Sequence, residues 1–166
     1  VVAVDIYIMQ HGEAMSADVD PERPLSDLGR ASVSAVAGHA AACGIRIDRI
    51  VHSGKLRAEQ TAALLAAALG CDPVDRVDGL KPSDSVELAV RALASPDRSG
   101  SLAVVGHLPF LERFASLLVA GDPAARVVAL RNGGLVKLVP APLRPGHDPR
   151  GAYSVAWVLT PELARP

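Results

Sequence analysis

Residues 6–14 read IYIMQHGEA: four apolar side chains, Ile6 to Met9, then Gln10, His11 and Gly12. The run reads as a buried β-strand, about Val4 to Gln10, that stops abruptly at an imidazole. Residues 102–107, LAVVGH, repeat the design, a β-branched apolar run ending on Gly106 and His107. In open α/β sheets, ligands gather in the crevice at the carboxyl ends of the strands, where loops and helix N-termini converge. Two strands that each end on a histidine therefore predict an α/β sheet and the rim on which its site opens.

Working outward, strand-like and helix-like segments alternate, which predicts a largely parallel sheet covered on both faces. After a loop containing Pro21 and Pro24, Ser26 is placed to cap a helix on which Leu28, Val33, Val36, Ala37 and Ala40 recur at helical intervals, with Gly44 ending it. Arg49–His52 reads as a second buried strand. Ser53-Gly54 then leads into a helix with Leu56, Ala63, Leu64 and Ala67 on one face, closed by Gly70. A weak strand at Val74–Val77 precedes a helix capped by Ser83 or Asp84 and carrying Val86, Ala89, Val90 and Leu93. A further helix, Phe110 to Val119, buries Phe110, Leu111, Phe114 and Leu118. The remainder, GGLVKLVP (133–140) and AYSVAWVL (152–159), reads as an antiparallel strand pair at a sheet edge, joined by a mobile loop from Pro140 to Gly151.

At 166 residues the chain is long enough for one domain with a full core, and 49% of its residues are hydrophobic. A formal charge of −1 offers no basic field for nucleic acid and no acidic tail for a basic partner. Two cysteines, Cys43 and Cys71, without CxxC spacing, argue against a disulfide framework and fit a reducing cytoplasm. The N-terminal VVAVDIYIM is interrupted by Asp5 and lacks a basic leader, so it reads as a strand rather than a signal. No run approaches the about 18 apolar residues needed to cross a bilayer. The expectation is a soluble cytoplasmic protein with neither nucleic-acid nor membrane partners.

On the predicted rim, His11 ends the first strand, Ser53 and Arg57 follow the second, and His107 ends the fourth. Alone, either histidine would read as a hydrogen-bonded loop residue and Arg57 as a solvated helix residue; their convergence predicts an anion site with imidazole as the reactive group. A neutral imidazole nitrogen is a competent nucleophile that forms covalent intermediates. Arg57 offers a planar fork of donors for phosphate oxygens, in the first turn of a helix whose N–H groups attract anions. Gly12 leaves room for a phosphoryl group beside the nucleophile. His39, His52 and His147 are read as structural or solvated. A metal site would need three or four converging ligands, so no metal or other cofactor is expected.

MQHGEA (9–14), RPLSDLGRASVSAV (23–36), VHSGKLRAEQTA (51–62) and LAVVGHLP (102–109) together resemble the four signature blocks of the histidine phosphatase superfamily. They are most similar to its small SixA-type protein-phosphohistidine phosphatase branch. The resemblance covers residues 4–120 in order and spacing. It implies a phosphoglycerate mutase-like fold, three-layer α/β/α with a mostly parallel central sheet and an antiparallel edge, as a single domain over residues 1–166. It also implies that His11 takes the phosphoryl group in line and that water then hydrolyses the phosphohistidine. Arg57 and His107 would hold the non-bridging oxygens. Arg23 matches an arginine near the pocket in that branch, and Ser53 adds a hydroxyl donor.

One departure stands out: the superfamily usually carries arginine before the nucleophile, and this chain carries Gln10. Two unit charges about 4 Å apart attract by roughly 4 kcal/mol at an effective dielectric near 20, before desolvation. Glutamine donates a hydrogen bond but no charge, so Gln10 is expected as a phosphate ligand of reduced strength unless Arg23, Lys55 or another cation compensates. In small-molecule branches a glutamate general acid follows the third strand. Here RVDGLKPSDSVE (76–87) holds Asp78, Asp84 and Glu87 in no recognisable acid motif. Alkoxide leaving groups need such an acid, whereas a protonated imidazole leaves readily. The implied substrate is phosphohistidine on a partner of the histidine-containing phosphotransfer type. Small phosphate esters or anhydrides, or a weakly active phosphohistidine-binding regulatory module, are the alternatives.

Overall fold

The run from Ile6 to Gln10 is buried at every position and forms β1, flanked by partners on both sides. The computed structural model describes residues 4–94, 99–141 and 149–164. In chain order the elements are β1 (Ile6–Gln10), α1 (Asp27–Ala42), β2 (Arg49–His52), α2 (Leu56–Leu69), β3 (Val74–Arg76), α3 (Val86–Leu93), β4 (Leu102–Gly106), α4 (Phe110–Ala120), β5 (Leu135–Pro140) and β6 (Tyr153–Leu159). One six-stranded sheet runs in the order β3-β2-β4-β1-β5-β6. The first four are parallel, and β5 and β6 add the antiparallel edge.

Alternation along the strands builds two cores. Ile6, Ile8, Val51 and Val104 face α3 and α4, packing with Phe110, Leu111 and Phe114. Tyr7, Met9, Ile50, Ala103 and Val105 face α1 and α2, packing with Val33, Ala37, Ala58, Ala62 and Leu65. Small alanines on this second face let α1 and α2 lie close to the sheet. At Gly29 in α1, a Cβ would stand 2.0 Å from the Glu13 carbonyl oxygen, so only glycine admits the segment after β1 there.

Several expectations are corrected at this level. β1 begins at Ile6 rather than Val4, and β3 stops at Arg76. Ser26 caps α1 through the Gly29 N–H, as expected, but Leu28 is 55% exposed, off the buried stripe of Gly29, Val33, Val36, Ala37 and Ala40. In α2 the buried stripe is Ala58, Thr61, Ala62, Leu65 and Ala66, not Leu56, Ala63, Leu64 and Ala67. Alanine surrounds this helix on all sides, so its apolar pattern carries no phase. The cap of α3 is Ser85, whose hydroxyl accepts from the Leu88 N–H, instead of Ser83 or Asp84. Gly133 and Gly134 precede β5 in a turn closed by Gly134 N–H on the Arg131 carbonyl at 2.8 Å, rather than opening the strand. The loop expected between Pro140 and Gly151 lies mostly outside the described residues, and His147 with it. Among the described residues, no helix is long and apolar enough to cross a membrane.

Candidate active site

Register brings the histidines together. Gln10 is paired with Gly106 across the parallel β1–β4 ladder, so the next residues, His11 and His107, leave the sheet side by side. Their ring centroids are 4.9 Å apart. β2 pairs with the other flank of β4 through His52 and Val105, which brings Ser53 to the level of Gly106. The Ser53 hydroxyl lies 2.5 Å from His107 Nε2. α2 starts at Leu56 and projects Arg57 back over the rim, where its Nε donates to His11 Nε2 at 3.3 Å.

The tautomer of His11 follows from these contacts. Nδ1 lies 2.7 Å from the carbonyl oxygen of Gly12, which can only accept, so Nδ1 carries the proton. The lone pair is therefore on Nε2, facing the guanidinium. Burial is the main reason His11 titrates below the usual 6.5, reinforced by Arg57, Arg23 and Lys55 and opposed by the Gly12 contact. His107 is only 2% exposed. Burial, His11 and the cations Arg57, Lys55 and Arg23 push it down to about 3. Both rings are neutral near pH 7, and the positive charge around them resides on arginine and lysine.

The remaining expected site residues are placed less uniformly. Arg23 adopts φ +51° on an exposed turn and its Nε donates to the Met15 carbonyl at 3.2 Å, near enough to influence both imidazoles. Gln10 is buried on the α4 side of the sheet; its Nε2 donates to Asn132 Oδ1, and its Oε1 has no partner among the described residues. Together with Glu13, Leu108 and Asn132 it lines a groove of about 430 Å³ beside the pocket. Gly12 was expected to make room for a phosphoryl group. A Cβ there would also meet Val33 Cγ2 at 2.8 Å and the Gly29 carbonyl at 2.9 Å, so packing against α1 by itself requires the glycine.

Two contributors escaped the sequence reading. Thr61 accepts the Gly12 N–H at 3.1 Å and donates to the Arg57 carbonyl at 2.7 Å, tying the backbone beside His11 to that of Arg57. The Asn132-Gly133 turn clasps the other side: Gly133 N–H reaches the carbonyls of Gln10 and His11 at 3.0 and 3.2 Å. Asn-Gly is a turn signal that could have flagged the second; nothing local flags Thr61. Three carboxylates already accept hydrogen bonds. Glu13 accepts from Ser26 Oγ at 2.7 Å, Asp84 from the Lys81 N–H at 2.8 Å, and Glu87 from Ser85 Oγ at 2.8 Å. No group of three His, Cys, Asp or Glu side chains capable of holding a metal occurs among the described residues. A lone pair on imidazole, flanked by a second neutral imidazole, a hydroxyl and a guanidinium, can accept an electrophilic phosphoryl group and hold its oxygens.

Comparison with known proteins shows the family and the fold. Residues 6–88 match the profile of the histidine phosphatase superfamily (branch 1). An uncharacterised protein of Picosynechococcus sp. (strain PCC 7002) is 34% identical over 145 residues, covering 78% of this chain and 86% of that one. The structure of the protein histidine phosphatase SixA complexed with tungstate superposes with TM-score 0.82 at 23% identity, covering 98% of this chain and 100% of that one. A phosphoserine phosphatase mutant from Entamoeba histolytica, in complex with phosphoserine, gives TM-score 0.69 at 14% identity over 96% and 98%. At these identities the two structural likenesses show the fold.

Proposed function

Since the chain belongs to the histidine phosphatase superfamily (branch 1), we propose that it is a metal-independent phosphatase working through a phosphohistidine at His11, with phosphohistidine on a partner protein as its substrate. The observation that carries the reading is the His11 Nε2 lone pair, with Nδ1–H held by Gly12 and Arg57 Nε 3.3 Å away. Nε2 attacks phosphorus as the bond to the leaving imidazole breaks; the departing nitrogen takes that electron pair, and the proton held on its other ring nitrogen makes the leaving group a neutral imidazole. Water then attacks the phosphoryl group, the P–Nε2 bond breaks, and inorganic phosphate leaves with His11 restored. Arg57 moves from the lone pair to the phosphoryl oxygens as the nucleophile is used. Arg23 and Lys55 add positive charge, and Ser53 and His107 hydrogen-bond the oxygens. A bound phosphoryl group would raise the affinity of His107 for a proton, because its negative charge opposes the cations that depress it.

Asp78 is the carboxylate of the 76–87 segment that would have to serve an ester; Asp84 and Glu87, like Glu13, already accept hydrogen bonds, which supports a substrate whose leaving group needs no dedicated acid. That supports a partner of the histidine-containing phosphotransfer type over small esters or anhydrides. Turnover of phosphoramidate and a phosphohistidine protein, compared with sugar phosphates and nucleotides, tests it: preference for the P–N substrates is expected, and preference for esters would overturn it. Brief incubation with labelled substrate should also trap an acid-labile, alkali-stable phosphoryl group.

Gln10 favours a second reading, a phosphohistidine-binding module of low activity, since it brings no charge to the pocket. Gln10→Arg is expected to tighten tungstate binding about tenfold, or roughly 1.4 kcal/mol. Unchanged or weaker binding by calorimetry would mean that the Gln10–Asn132 pair has rebuilt the pocket around an amide.

A further inference from the structure

His52 is a buried imidazole that the phosphoryl chemistry leaves unused. It closes β2 one residue before Ser53 and is 6% exposed. Its Nδ1 accepts the Gly54 N–H at 3.2 Å. An accepting Nδ1 carries no proton, so the ring is neutral in this arrangement. Gly54 is at φ +79° with Arg76 laid over it, a Cβ there coming within 2.5 Å of the Arg76 Nε. The chain turns here from β2 into α2. At one end of the turn Ser53 reaches His107, and at the other α2 begins one residue before Arg57, which reaches His11.

We propose that His52 is a positioning residue: by accepting the Gly54 N–H it holds the 53–55 turn that presents Ser53 and Arg57 to the two site histidines, and protonating it releases that turn. The inference rests on the reading of the pocket given above. Protonated, both ring nitrogens donate, and one would oppose the Gly54 N–H across a distance now bridged by a hydrogen bond. The charged groups facing His52 are Glu59 from α2 and Asp75 and Arg76 from β3, with Arg49 on its own strand paired to Asp75 at 2.9 Å. Burial above all, then Arg76, disfavours the proton, while Glu59 and Asp75 favour it; the balance lies below the usual 6.5. The turn therefore holds at neutral pH and loosens in acid.

His52→Asn keeps an acceptor at the same distance from the backbone without a titrating group, and His52→Leu removes the acceptor. At pH 7.5 the Leu variant is expected to lose about tenfold or more in phosphoramidate kcat/KM, since small misplacements of catalytic groups are costly. The Asn variant should stay within about threefold of the parent and hold its activity to lower pH. Hydrogen exchange at the Gly54 amide reads the turn independently of turnover: protection should fall with acid in the parent but not in His52→Asn. An amide indifferent to pH in the parent, an acid limb unchanged in His52→Asn, or a folded His52→Leu as active as the parent would overturn the proposal. An amide that responds as expected in a protein that turns over no phosphoryl compound would leave the turn standing and sink the pocket reading instead.

Discussion

His11→Ala is expected to abolish turnover, by about 10⁴-fold or more in kcat, while the protein stays folded. The nucleophile is the atom to which phosphorus bonds, so no neighbouring group replaces it: His107 is engaged with Ser53, and the other flanking groups are cations. Stability should change little. His11 lies beyond the end of β1, is half-buried, and its ring makes two hydrogen-bond contacts, with Gly12 and Arg57, besides lying against the His107 ring; the two hydrogen bonds are together worth about 1–2 kcal/mol. Steady-state kinetics beside thermal unfolding checks both halves. A variant that retains activity, or one that fails to bind tungstate because it has unfolded, would separate the chemistry from the fold. The parent's pH profile carries the same signature. Because His11 is held below 6.5, its lone pair is free at neutral pH and kcat/KM should decline only as acid protonates it. Stability follows the same sign. His11 and His107 are both depressed in the fold, so the unfolded chain takes up protons first as pH falls through 6.5, and stability present above that pH is progressively lost below it.

Arg57→Ala is expected to lower kcat/KM about 10³-fold, and Arg57→Lys to recover little of it. In the proposed mechanism charge develops on the phosphoryl oxygens as phosphorus passes between nitrogens, and a donor already oriented at the reacting atom stabilises that charge without reorganisation. A lysine restores charge but not the planar fork that grips two oxygens at once. The backbone should survive the change, because Thr61 holds the Arg57 carbonyl and the Gly12 N–H, neither of which depends on the guanidinium. Loss of tungstate affinity with retained thermal stability would fit; a loss of less than about tenfold would show that Lys55 and Arg23 carry the anion instead.

The outline of the fold was readable from short-range patterns because the central strands β1 and β4 are buried on both faces. Apolar runs bounded by Gly and His mark β1 and β4 with little ambiguity, and the parallel order then follows from alternation with helices. Gln10 shows where such reading ends. Its neutrality is plain in the sequence, yet its amide partner Asn132 lies 122 residues away, and no local periodicity joins them. Thr61 is similar: in an alanine-rich helix its hydroxyl looks incidental until α2 packs on the segment after β1. The packing reason for Gly12 was hidden in the same way, since the surface its missing Cβ would strike belongs to α1.

By itself, the sequence determined which side chains could do chemistry and that they sit at strand ends, because apolar burial and glycine punctuation are local properties of the chain. Tertiary structure alone decided that His11, Ser53, Arg57 and His107 meet and that His107 is neutral, since strand register and the water excluded when helices close over the sheet arise from contacts between residues far apart along the chain. The His11–Gly12 and His52–Gly54 contacts join near neighbours, but their geometry is set only once the backbone leaves the sheet as the fold directs it.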